Sequence, residues 1–246
     1  MRSVFRSVVG MRRKNNEDAV FCGQGNLKDL FIVADGMGGC NAGEVASSLA
    51  IKVFVSGIEG NISEYFDNEN ILDTLVSAIH CSNRTVYELS KTNSEFYGMG
   101  TTIDASVIRN SKLYAVHIGD SRIYIFRDGK LKMLTEDHSY VMELLKCGEI
   151  TEEEARNHPD RNKITRALGT EENILVDTIV TSILPNDIIL MCSDGLTNMV
   201  SDEKIERILN MNASIDKKAD ILVDEANSSG GLDNITIILV EQEVEE

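Results

Sequence analysis

Phe31-Ile32-Val33-Ala34-Asp35-Gly36-Met37-Gly38-Gly39 is a short apolar run that ends on one carboxylate and leaves through glycines. The apolar residues read as a strand, and Asp-Gly reads as its stop. The arrangement recurs. Asp120 follows Val116-His117-Ile118-Gly119, and Asp194 follows Ile188–Cys192 and Ser193. With Asp18 and Asp233 they make a set of carboxylates presented at the rim of a sheet, where rigid strands can hold ligands. One Asp-Gly pair alone is most often a turn; the repetition at strand ends is what points to a site. Carboxylates without histidine or cysteine partners are hard oxygen ligands, suited to Mg²⁺ or Mn²⁺ rather than zinc or copper.

Outward from this segment, Ser3–Val9, Ala19–Cys22 and Leu30–Ala34 read as strands, with Met11–Asp18 as a polar connection. Val45, Leu49, Val53 and Ile58 recur at helical spacing from Ala42 to Ser56, and Gly57 and Gly60 are expected to close that helix. A second amphipathic helix is predicted over about Asn70–Lys91. The segments Ile103–Ile108, Leu113–Ile118, Arg122–Arg127 and Lys130–Leu134 read as an antiparallel meander, with turns at Arg109–Asn110 and Asp128–Gly129. His138–Asn162 is polar and helix-prone, and Thr151-Glu152-Glu153-Glu154 offers a capping box. Strands return at Ile174–Ser182 and Asp187–Cys192, helices at about Asp202–Leu209 and Asp216–Asn227, and a last strand at Asn234–Glu241, before a tail expected to fray. Mostly antiparallel strands with two helical pairs predict an α+β chain of two packed sheets flanked by helices.

The 246 residues, 42% apolar and 26% charged, fit one globular domain. A formal charge of −16 argues against nucleic acid and anionic membranes as partners. The longest apolar runs are far short of the roughly 20 residues that span a bilayer, and Met1–Gly10 has no signal-peptide core, so a cytoplasmic protein is expected. Five cysteines with no CxxC pair argue against a disulfide framework or a structural zinc, and none is followed six positions later by arginine, as a thiol phosphatase would need. P-loop, EF-hand and HExxH patterns are absent.

An ordered series of motifs resembles the metal-dependent protein phosphatases of the PP2C type, especially the compact bacterial members. The series is Arg13-Lys14-Asn15-Asn16-Glu17-Asp18, Val33-Ala34-Asp35-Gly36-Met37-Gly38-Gly39, Gly43-Glu44-Val45-Ala46-Ser47, Gly100-Thr101-Thr102 and His117-Ile118-Gly119-Asp120-Ser121-Arg122. It continues through Thr135-Glu136-Asp137-His138-Ser139, Ile164-Thr165-Arg166-Ala167-Leu168-Gly169, Cys192-Ser193-Asp194-Gly195-Leu196 and Asp233-Asn234-Ile235-Thr236. The resemblance implies an α-β-β-α sandwich over residues 1–246, with a small flap at about 138–165.

It also implies hydrolysis of phosphoserine and phosphothreonine in proteins, in opposition to a Ser/Thr kinase, by a monomer carrying two or three Mn²⁺ or Mg²⁺ ions. Asp35 would bridge two metals, the Gly36 carbonyl would complete one, and Asp194 and Asp233 would hold the other. Glu17 and Asp18 would assist through waters, Asp120 would support a third metal, and Arg13 would grip the phosphoryl oxygens. A water shared by the metals would attack in line with the leaving oxygen. Arg12 and Lys14 are expected on the solvated surface, His117 packed in its strand, His80 on a helix surface, His138 and His158 beside the flap, and the methionines in the core. Two departures leave the general acid unassigned: Met37 stands where eukaryotic members carry histidine, and Cys40 where bacterial members often do. A pseudo-phosphatase that only binds partners is the alternative, as is a phosphatase of an anti-sigma-factor antagonist.

Overall fold

The structure, a computed structural model, describes residues 1–38, 42–60 and 70–243. The chain opens with β1 (Arg2–Val8), β2 (Asp18–Gln24) and β3 (Leu27–Met37), then α1 (Ala42–Gly60) and α2 (Ile71–Thr92). Next come β4 (Gly100–Thr101), β5 (Ile103–Arg109), β6 (Lys112–Ile118), β7 (Arg122–Arg127) and β8 (Lys130–Met133). Two short helices, α3 (Tyr140–Lys146) and α4 (Glu152–Asn157), precede β9 (Asp177–Ser182) and β10 (Ile188–Cys192). A single turn α5 (Asp194–Thr197), then α6 (Asp202–Leu209), α7 (Ile215–Ser228) and β11 (Ile235–Glu241), complete the chain.

Two antiparallel sheets result, one in the order β1-β11-β10-β7-β8 and the other β2-β3-β5-β6-β9, with β4 added to β3. The pleat decides what each strand faces. Phe31 and Val33 of β3 point into the layer between the sheets with Leu113, Ala115, Ile123, Ile189, Met191 and Ile238. Their neighbours Leu30, Ile32 and Ala34 point the other way, onto Ala46, Phe54, Leu75 and Ile79 of α1 and α2. On the opposite flank Leu190, Ile237 and Leu239 meet Ile205, Leu209, Ala219 and Leu222 of α6 and α7. Strands covered on both faces are mostly apolar, which is why β10 reads as an unbroken apolar run and β11 as one interrupted only by the buried Thr236 before it ends on Glu241. Each Val, Leu, Ile, Phe or Met side chain fully removed from water in these layers contributes roughly 1.5–3 kcal/mol. The layers are α-β-β-α, as the element order predicts.

The structure departs from the sequence reading in several places. The helix α1 does not close at Gly57 but runs on to Gly60. A Cβ at Gly57 would sit 3.7 Å from the Ala78 Cβ, so this glycine lies where α1 and α2 pack together. The strands from 103 to 134 are not one meander: β5 and β6 pair in one sheet, β7 and β8 in the other. The chain changes sheets at Gly119-Asp120-Ser121 because Gly119 takes φ +120°, open to glycine alone. The β5–β6 turn is centred on Asn110 and Ser111, both at positive φ, one residue later than read. The last strand begins at Ile235, one residue later than read, and ends at Glu241. Met99 and Met191 are core residues, but Met11 and Met211 are exposed. The Thr151 capping box is present. No helix among the described residues is long and apolar enough to cross a membrane.

Candidate active site

Both sheets send carboxylates to one end of the sandwich. Asp18 opens β2 and lies directly opposite Asp35 across the β2–β3 ladder. Asp194 starts the turn α5 at the end of β10, Asp233 precedes β11, and Asp120 sits where the chain crosses between sheets. Like charges facing each other across a ladder are destabilising, so this is not an arrangement that folding alone favours. Burial, followed by the charges of Asp18, Asp194, Asp120 and Asp233, pushes the Asp35 carboxyl well above the usual range. Burial does the same to Asp120, with Asp194 next in weight. Asp18 is pushed up to about 7 and Asp194 to about 6, again chiefly by burial.

One oxygen on each of Asp18, Asp120 and Asp194 is buried without a hydrogen-bond partner. Buried carboxylate oxygens are seldom left so, because each costs about 1–3 kcal/mol. Among the described residues no three acidic, histidine or cysteine side chains are already drawn together as a closed metal shell. The donors are nevertheless what a hard divalent cation requires: oxygen only, excess negative charge, and lone pairs not otherwise used. On that test the residues fit the Mg²⁺ or Mn²⁺ that the carboxylate pattern predicts.

Neutral side chains hold the carboxylates in place. The Asp35 N–H donates to Thr102 Oγ1 at 2.9 Å, and Thr102 Oγ1 pairs with Ser121 Oγ at 2.8 Å, which joins the Asp35 strand to the Asp120 crossing. Thr101 Oγ1 donates to the Asp35 carbonyl at 2.9 Å. Ser193 Oγ donates to Asp18 Oδ2 at 2.7 Å while accepting from the Thr236 N–H at 3.0 Å, tying the two sheets together. Asn198 Nδ2 donates to Asp194 Oδ2 at 2.9 Å. Asn234 Oδ1 accepts from the Glu17 N–H at 2.8 Å, and its Nδ2 donates to the carbonyls of Val9 and Asn15, both at 2.9 Å. Thr101, Thr102, Ser121, Asn234 and Thr236 lie inside the motifs of the sequence series, but their roles depend on partners remote in sequence, so no role could be read for them.

Arg13, half exposed, donates to Asp233 Oδ2 at 2.7 Å and to Glu17 Oε2 at 3.3 Å. It therefore stands at the mouth of the carboxylate set. Burial raises the Glu17 carboxyl, and Arg13 opposes that rise. The Gly36 carbonyl and Glu17 Oε1 converge on one spot, 2.7 and 2.8 Å from where a Cβ at Gly43 would stand. Two oxygens thus share a hollow that only glycine leaves open. Gly195 is equally constrained, since its Cβ would come within 1.9 Å of the Asn234 carbonyl oxygen.

Of the remaining sequence expectations, Arg12, Lys14 and His80 are exposed, and His117 is fully buried. Met37 packs near Gly100 rather than presenting an acid. Cys40 lies outside the described residues.

Residues 11–228 match the family description "Protein phosphatase 2C". The chain is 42% identical over 246 residues to the serine/threonine phosphatase stp of Listeria monocytogenes, covering 99% of this chain and 97% of that protein. It is 38% identical to protein phosphatase PhpP of Streptococcus pneumoniae over 97% of this chain and 96% of that one. Among solved structures it is similar to the serine/threonine phosphatase PstP/Ppp of Mycobacterium tuberculosis, with a TM-score of 0.90, 37% identity and 99% of both chains covered. A structure of the PstP catalytic domain in complex with two manganese ions aligns with a TM-score of 0.82 at 36% identity, covering 97% of this chain and 96% of that one.

Proposed function

The chain belongs to the protein phosphatase 2C family and is a metal-dependent Ser/Thr protein phosphatase; on that premise we propose which of its residues carry the reaction. Asp35, Asp194 and Asp233, with the Gly36 carbonyl, hold two divalent cations, and Asp120 with Asp194 supports a third. The observation that carries this reading is the set of carboxylates gathered from both sheets, three of them with a buried oxygen that has no protein partner. Bound divalent ions supply positive charge for the phosphoryl group and lower the pKa of water.

The remaining parts act through their own chemistry. Arg13 carries a planar, permanently charged fork that can leave Asp233 for two phosphoryl oxygens. Asp18, at the start of β2 and bonded to Ser193, orients water next to Asp35. Glu17 takes the same part beside the Gly36 carbonyl. Thr102 fixes Asp35 at its backbone, so the central carboxylate does not depend on a mobile loop.

We read the substrates as phosphoserine and phosphothreonine proteins of the cytoplasm, with the chain acting as a monomer against a Ser/Thr kinase. Mn²⁺ or Mg²⁺ serves, and residues 138–165 form a flap over the substrate.

The test is phosphate release from a phosphothreonine peptide with Mn²⁺, with EDTA, and with Asp35→Asn, beside a phosphotyrosine control. Release that needs Mn²⁺ and is lost in Asp35→Asn supports the assignment. Asp35→Asn turning over at the wild-type rate would remove Asp35 from the centre.

A further inference from the structure

Asp104 and His117 form a buried pair that the reaction described above does not use. They face each other across β5 and β6, in the layer between the sheets, with no exposed surface on either side chain. His117 Nδ1 lies 2.6 Å from Asp104 Oδ1, and its Nε2 lies 2.9 Å from the Glu136 carbonyl oxygen. A carbonyl only accepts, so Nε2 carries a proton and donates it. A second proton lies between Nδ1 and the carboxylate. Burial pulls the imidazole toward neutrality, but Asp104 and the Glu136 carbonyl outweigh it and raise its pKa. His117 is thereby held as a fixed donor reaching from one sheet to the segment that follows β8 of the other.

That segment is tied down at every residue. The Ile123 N–H donates to Thr135 Oγ1 at 3.1 Å, His117 donates to Glu136, and Arg122 grips both oxygens of Asp137 at 2.8 and 2.6 Å. The His138 N–H donates to the Gly119 carbonyl at 2.7 Å, and the Gly119 N–H donates back to His138 Nδ1 at 3.1 Å. The rings of His117 and His138 pack with centroids 4.6 Å apart. Residues 135–138 are thus fastened to residues 117–123, the crossing that carries Asp120. The same His138 begins the neck of the excursion that follows: its carbonyl accepts from the Thr165 N–H at 2.8 Å, and the Tyr140 N–H donates to Lys163 at 2.8 Å.

We propose that Asp104 and His117 are positioning residues that lock the neck of residues 138–165 onto the Gly119-Asp120 crossing, so that this excursion and the Asp120 carboxylate move as one body. The proposal rests on the flap reading of 138–165, but its structural half can be read without turnover. A valine pair, Asp104→Val with His117→Val, suits two facing β positions and removes the donor to Glu136. The pair Asp104→Asn with His117→Gln keeps an amide donor at that place.

Hydrogen exchange of the amides from 138 to 147 and from 163 to 165 is measured in both, together with kcat and KM for a phosphothreonine peptide and for p-nitrophenyl phosphate. In the valine pair, exchange is expected to quicken about tenfold and peptide KM to rise about fivefold, with kcat on p-nitrophenyl phosphate within about twofold; the Asn/Gln pair stays near wild type. Wild-type exchange and KM in the valine pair overturn the lock, as does equal loosening in both pairs. If the valine pair does not fold, His138→Leu against His138→Asn asks the same question at the Gly119 N–H, and equal exchange in those two overturns it. Loss of peptide turnover by the unaltered chain would instead fail the catalytic assignment and leave the exchange result standing.

Discussion

Replacing Asp18 by asparagine should stabilise the protein in the absence of divalent ions. In the folded chain Asp18 is buried, 9% exposed, and faces Asp35 across the ladder, and its pKa is pushed up to about 7 from 3.8. Each unit corresponds to 1.36 kcal/mol, so at about pH 8 the ionised side chain costs at most roughly 4 kcal/mol relative to the unfolded chain. Asparagine cannot ionise and keeps an oxygen for Ser193 Oγ, which now donates to Asp18 Oδ2 at 2.7 Å. Its amide nitrogen takes the place of the unpaired Oδ1, a loss of about 1–3 kcal/mol. The net gain is about 1–3 kcal/mol, or roughly 2–12 °C in Tm for a chain of this size. Thermal unfolding followed by circular dichroism in EDTA reads it directly. At about pH 4 the advantage should vanish, because wild-type Asp18 is then protonated in the fold and asparagine has nothing to relieve. A variant no more stable than wild type at pH 8, or one with the same advantage at pH 4, would refute the charge-burial account.

The same linkage sets the pH dependence of the metal-free protein: the site carboxyls of Asp18 and Asp194 are pushed up to about 7 and about 6 in the fold, and burial also holds that of Asp35 well above the usual carboxylate range. The native state holds protons that the unfolded chain has released, so Tm in EDTA should fall as pH rises from about 4 through 7, and the Tm gained on adding Mn²⁺ should grow across that window. Gly195→Ala would drive a Cβ to 1.9 Å from the Asn234 carbonyl oxygen, backbone that cannot swing aside. A loss of roughly 1–3 kcal/mol in urea unfolding is expected, with Mn²⁺-dependent turnover lost because Asn234 adjoins Asp233. Thr102→Val removes the acceptor of the Asp35 N–H and the partner of Ser121. It should cost about 1–3 kcal/mol and slow peptide turnover at least tenfold, while Thr102→Ser restores both.

The carboxylate set was legible because its signal is local: an apolar strand, then Asp and a small residue, repeated. The strands themselves were legible for the same reason. What the sequence could not supply was partnership across the chain. Apolar alternation marks Leu113–Ile118 and Arg122–Arg127 as strands but says nothing of which sheet each joins, and the change of sheet rests on the backbone of one residue, Gly119. The glycines after Ser56 read as a stop, yet at Gly57 the packing of α1 on α2 overrides helix propensity. Ser193 looks like any serine before a helix until Asp18, 175 positions away, comes to 2.7 Å. Asp104 carried no signal at all, because its meaning depends on the register that sets it opposite His117.

The pins around the carboxylates are neutral, and that choice has a functional reason. Thr102, Ser193, Asn198 and Asn234 orient the acidic groups or their neighbours without cancelling their charge, and Arg13 stands at the mouth with 46% of its side chain exposed. A lysine near the cluster would satisfy the same lone pairs permanently and compete with any cation. Asn198 is the place to show this: it is exposed, and its Nδ2 already reaches Asp194 Oδ2 at 2.9 Å, one helical turn from its partner. Asn198→Lys would exchange an amide for an ammonium beside a carboxylate that burial and Asp233 hold at a pKa of about 6. The metal-free protein should gain roughly 1 kcal/mol, a rise of about 2–4 °C in Tm at neutral pH, while the Mn²⁺ concentration for half-maximal peptide turnover rises at least tenfold. Stability and function would then move in opposite directions at one residue. If Asn198→Lys were less stable in EDTA, or kept the wild-type Mn²⁺ requirement, the neutrality of these pins would have no connection with cation binding at Asp194.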